Sequence, residues 1–138
     1  MKTDPIITKA KFRLMLISSL LFAILSSVLD AYNDTSIAIN EALAIDPQIW
    51  ELVIISILAP AFFILFIGLF LFKEWARKLY VYSFFPILLT PLLPSLSWTF
   101  VSGLSAIFVD LSGILSTLIL GILIVPSLYK PLFQKNIK

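Results

Sequence analysis

The sequence predicts an all-α membrane protein, a four-transmembrane-helix bundle in one domain with both termini cytoplasmic. Three observations lead there. The chain is 60% hydrophobic and 13% charged, with mean hydropathy +1.06, whereas a soluble domain averages about 25% charged residues. Its apolar residues collect into four runs, each able to cross a hydrocarbon core about 30 Å thick. All ten Lys and Arg fall within residues 1–13, 73–78 and 130–138, which four crossings bring to one side. An excess of positive charge marks the cytoplasmic side of a membrane.

The first span covers residues 12–31, behind Lys2, Lys9, Lys11 and Arg13. A basic start before an apolar run also opens a signal peptide. This run is longer than a signal core and lacks a small-x-small cleavage site, so it is expected to stay as a span. Residues 30–48 form a polar outer loop with Asp30, Asp34, Glu41 and Asp46 and no basic residue. Its stretch 35–44 has the composition for a short interfacial helix, a point the residues leave open. Asp46-Pro47 offers an N-cap followed by Pro at the first helical position, so a second span is expected over 50–72, kinked at Pro60.

A basic turn at 73–78 leads to a third span over 79–97, interrupted by Pro86, Pro91 and Pro94. Proline removes a backbone donor and clashes with the preceding turn. A kink at Pro86 and a broken end at 91–94 are therefore expected. The fourth span, 104–129, carries one charge, Asp110. Aromatic residues support the same orientation, with Tyr32, Trp50 and Trp98 expected at the outer interface and Trp75, Tyr80, Tyr82 and Tyr129 at the inner one. Trp50, Trp75, Trp98 and Tyr129 are the chosen interfacial anchors.

Two stripes of small residues mark helix-packing faces, since small side chains let helices approach closely in lipid. In the first span Ser19, Ala23, Ser26 and Asp30 share a face; in the fourth, Gly103, Ala106, Asp110, Gly113, Thr117 and Gly121 do. Each stripe carries a carboxylate toward its outer end. If the faces meet, Asp30 and Asp110 form a candidate ion or proton site, because two close carboxylates share a proton or hold a cation. The plainer readings are an Asp30 that ends its helix in water and an Asp110 that favours a helix N-terminus near Leu111. Ser83, Pro86 and Thr90 share a face that fits either a substrate-lining break or a kink satisfied by neighbours. Asn33-Asp34-Thr35 fits a glycosylation sequon.

The chain has no cysteine and no histidine. Disulfides, thiol nucleophiles, thiolate or imidazole metal sites and histidine bases are thereby excluded. Motifs for acyl transfer, nucleotide binding or zinc proteolysis are missing, so neither catalysis nor a cofactor or metal is expected. The basic residues are dispersed flanks with no recognition motif, which argues against nucleic acid; anionic head groups of the lipid bilayer suit them better.

The pieces at 68–80, with Trp75-Ala76-Arg77, and 128–133, with Tyr129-Lys130-Pro131-Leu132, resemble a pattern in small four-span bacterial inner-membrane proteins of uncharacterised families. That resemblance implies a multi-pass protein of the bacterial cytoplasmic membrane and transfers no functional residue. The function expected is a non-catalytic membrane interaction protein: an accessory or regulatory subunit, or an immunity protein against a membrane-acting toxin. Its partner would be another membrane protein or a second copy. The alternative is a small ion- or proton-coupled transporter or channel using Asp30 and Asp110.

Overall fold

The computed structural model describes residues 6–93, 95 and 100–133, and all regular structure among them is helical. In order come α1 (Lys9–Asp30), α2 (Asp34–Leu43), α3 (Ile49–Phe70), α4 (Glu74–Ile87), a 3-10 turn (Thr90–Leu92), α5 (Gly103–Ile124) and α6 (Pro126–Phe133). Helices α1, α3 and α5 each have 22 residues and the hydropathy to cross a membrane. At 1.5 Å per residue each is about 33 Å long. The chain is a multi-pass membrane protein.

Local chemistry sets most boundaries. Thr8 caps α1 by accepting the Lys11 N–H at 3.3 Å. Residues 34–43, left open by sequence, form α2, because the Asn33 carbonyl oxygen accepts the N–H groups of Thr35 and Ser36 and Asp34 sits at the positive helix end. Three sequence expectations are corrected. Gln48, not Asp46, is the N-cap of α3, so the Asp-Pro start signal is not used. The fourth span does not run on to Tyr129. Pro126 has no N–H for the ladder, Val125 turns extended, and a separate α6 begins. The span expected over 79–97 is not one continuous helix: α4 starts at Glu74 and ends at Ile87, just past Pro86, and the 3-10 turn follows. With 14 residues, α4 alone is shorter than the roughly 20 that a span needs.

Contacts define two ends of the bundle. At the basic end, the Lys9 ammonium lies 5.3 Å from the Phe72 ring centroid, and Phe12, Phe72 and Phe133 form a mutual aromatic cluster. Phe72 holds φ 55 there, a left-handed conformation uncommon for a bulky residue. Its N–H and that of Lys73 close the end of α3 on Leu69 and Gly68 carbonyls. At the acidic end, the Asn40 amide clamps the Phe100 backbone in both directions, at 2.9 and 2.7 Å. The Asn33 amide and Ser36 hydroxyl both reach Ser102. Asn33, the sequon residue, therefore has its amide nitrogen engaged in holding α2 to the start of α5.

The fully buried apolar side chains, including Phe12, Leu69, Ala76, Ile119, Leu123 and Leu132, form one cluster near the basic end. Elsewhere α1 and α5 are joined by serines. Ser19 and Ser112 each donate to the other's carbonyl, at 3.3 and 2.9 Å, and Ser26 donates to Ser105 O at 2.9 Å. Lipid gives no hydrophobic drive to helix association, so close packing and hydroxyl bonds must supply it. Ser26→Ala is expected to lose about 0.6 kcal/mol, the average for an interhelical bond in a bilayer, measurable by unfolding in mixed micelles.

Candidate functional site

The face of α5 that packs on α1 is the one bearing Ser105, Phe108, Ser112 and Ser116. At 100° per residue, the stripe expected from sequence lies about 140° away around the same helix. Ala106 is half-buried, while Asp110, Gly113, Thr117 and Gly121 are exposed. A Cβ placed on Gly113 or Gly121 would meet nothing within 4 Å. This is a correction to the packing face, and its cause is chemical: serine hydroxyls can bond a neighbour's carbonyls, and glycine cannot. In α1, Ser19 and Ser26 face α5, whereas Ala23 is exposed and edges the internal cavity described below.

The two expected acids are not brought together by any contact among the described residues. Asp30 is half-buried at the end of α1 and accepts from Ser105 Oγ at 3.4 Å. Asp110 lies five residues beyond Ser105, on the exposed side. Because α5 begins at Gly103 with Ser102 as its N-cap, Asp110 is seven residues into the helix, about 10 Å. It is too deep to act as a cap.

Between α1, α3, α4 and α5 lies a cavity of about 230 Å³ bordered by Ser19, Ser112, Ser116 and Tyr80. Ser19 and Ser116 hydroxyls are 3.1 Å apart, and Tyr80 donates to the Ser116 carbonyl at 3.3 Å. Tyr80, expected at the inner interface, instead points its hydroxyl into the bundle. The space matches the volume of several waters at about 30 Å³ each, but most of its lining is apolar, from Leu16, Leu20, Phe62, Leu65, Phe66 and Leu69. A second, larger cavity of about 690 Å³ separates α3 from α4. Ser83, Pro86 and Thr90 all line it. Their hydroxyls are spent on local carbonyls, Ser83 on Tyr80 and Thr90 on Ile87, so the groove is effectively apolar.

At the basic end one side chain ties three elements. Arg77 grips Glu74 through a fork at 2.9 and 3.0 Å, donates to Leu123 O at 2.9 Å, and lies 3.9 Å over the Tyr129 ring. The two sequence pieces that carried the resemblance thus touch each other. The Arg77 hydrogen bond, reinforced by the charges of Arg77 and Lys78, holds the Glu74 carboxyl below its ordinary value despite partial burial. A lowered folded-state value contributes stability above the unfolded value and loses it as pH falls through the folded one. The thermal midpoint should therefore drop below about pH 4.3; in Glu74→Gln that component of the drop is expected to vanish.

Trp50 and Trp75 are exposed and Tyr129 is half-buried under Arg77; Trp98 lies outside the described residues. Sequence reasoning missed Glu51, which is 0% exposed. An acid just after an interfacial Trp reads as a favourable charge at a helix start, and only the fold shows it covered. No group of three or more acidic, His or Cys ligands suited to a metal occurs among the described residues. No protein-family model, curated protein or solved structure matches this chain.

Proposed function

We propose that the protein is a non-catalytic membrane interaction protein, an accessory or regulatory subunit or an immunity protein against a membrane-acting toxin. In this reading it forms a four-span bundle in the bacterial cytoplasmic membrane, α4 and the segment after it making the third crossing. The basic end, with both termini, faces the cytoplasm, following the excess of Lys and Arg there.

One observation carries the reading: Asp110, Gly113, Thr117 and Gly121 are all exposed on the outward face of α5, and a Cβ added at Gly113 or Gly121 meets nothing within 4 Å. An acid facing lipid about 10 Å inside a helix is costly, and such residues normally face protein. Small residues beside it admit a second helix closely. The chain has no Lys or Arg within 14–72 or 79–129, so a second copy would set Asp110 against Asp110. A heterologous helix with a donor at that depth fits better. Purification in mild detergent should yield a stoichiometric membrane partner, lost in Gly113→Leu and weakened about tenfold in Asp110→Asn, one charge-assisted hydrogen bond. Recovery of the chain alone or only as a homo-oligomer contradicts this.

The second reading, a small ion- or proton-coupled transporter or channel, is supported by the cavity that Ser19, Ser112, Ser116 and Tyr80 border within the bundle. Ion flux in liposomes that disappears when Ser116→Leu fills this cavity would favour it over the first.

A further inference from the structure

We propose that the Glu51 carboxylate, in the first turn of α3, and the Ser95 hydroxyl bind an alkali-metal ion. Glu51 is fully buried in the first turn of α3. One carboxylate oxygen accepts the Ser95 N–H at 3.3 Å. The other oxygen is buried without a hydrogen-bond partner, and so is the Ser95 hydroxyl.

Among the described residues no cationic side chain pairs with Glu51. Glu51 is the only charge on α3, residues 88–102 carry none, α5 has only Asp110, and α2 has only Asp34 and Glu41. From α1 the nearest charged group in sequence to this end is Asp30, and the basic residues of α1 are at its other end. Every charge at the acidic end is negative. Burying an ionised carboxylate alone costs several kcal/mol. The helix start supplies about half an elementary charge, and one long N–H bond adds little. A whole positive charge is still needed. Carboxylate and hydroxyl oxygens are hard ligands suited to hard cations. Occupancy then fastens Ser95 to α3. The site stands independently of the docking face on α5.

The test uses the purified full chain in detergent, following its thermal midpoint. NaCl replaces choline chloride at constant ionic strength and constant pH. The midpoint should rise by about 5 °C with Na⁺, and Glu51→Gln should be at least as stable as wild type in choline chloride and flat on adding Na⁺. Ser95→Ala, which keeps the carboxylate, should need about tenfold more Na⁺, one lost ligand at about 1.4 kcal/mol. A wild type that does not respond to Na⁺ overturns the proposal, as does Glu51→Gln responding like wild type.

Discussion

Gly68→Val is expected to separate the α3–α4 hairpin and to destabilise the chain strongly. A Cβ at Gly68 would stand 2.6 Å from the Ala76 Cβ and 2.8 Å from two atoms of the Trp75 ring. Ala76 is fully buried, and its Cβ has no rotamer with which to withdraw. Overpacking at such a contact costs about 3 kcal/mol. Gly68→Ala is the sharper comparison. Helix propensity favours alanine over glycine by about 1 kcal/mol, so a net loss of stability shows the interhelical contact outweighing propensity. Unfolding in mixed micelles measures both variants. A Gly68→Ala protein more stable than wild type would place the hairpin contact elsewhere.

Arg77→Ala is the second. The break at Pro126 deprives the end of α5 of its next backbone donors, and the Arg77 guanidinium supplies one to the Leu123 carbonyl. Removing it loses a charge-assisted bond of about 2 kcal/mol and a cation–π contact of about 1 kcal/mol. The exposed pair with Glu74 adds well under 1 kcal/mol. A loss of about 3 kcal/mol is expected from the same unfolding measurement. Arg77→Lys should restore less than half, because an ammonium cannot hold the fork, the carbonyl and the ring together. Arg13 serves α3 in the same way, donating to Phe70 O at 3.2 Å and covering the Phe70 and Phe72 rings.

The long apolar helices, the proline break after α4 and the separation of basic from acidic residues were legible in sequence, because span length and charge are one-dimensional properties. The packing face of α5 was not. That helix carries two faces of small residues, one of serines and one with glycines, and a helical wheel weighs both alike. The choice depends on which face finds carbonyl partners on α1, a matter of three-dimensional register. Tyr129 misled for a related reason: the uncharged run continues through Pro126, but the helix does not. Glu51 was hidden because its burial and its hydrogen bond from the Ser95 N–H, far away in sequence, exist only in the folded chain. Asp30 accepts from Ser105 on the packed face of α5, whereas Asp110 lies on its exposed face, a difference that one-dimensional spacing does not carry.

Photo-crosslinking from position 113 in native membranes tests the docking face most directly. Gly113 and Ser112 are neighbours in sequence but point about 100° apart around the helix, Gly113 into open space and Ser112 toward Ser19. A crosslinker at 113 should capture one heterologous membrane protein, and capture should fall about tenfold in the Asp110→Asn background. The same group at 112 should crosslink only within the chain. Capture of lipid alone, or of a second copy, from position 113 would contradict the assignment of the α5 face to a partner helix.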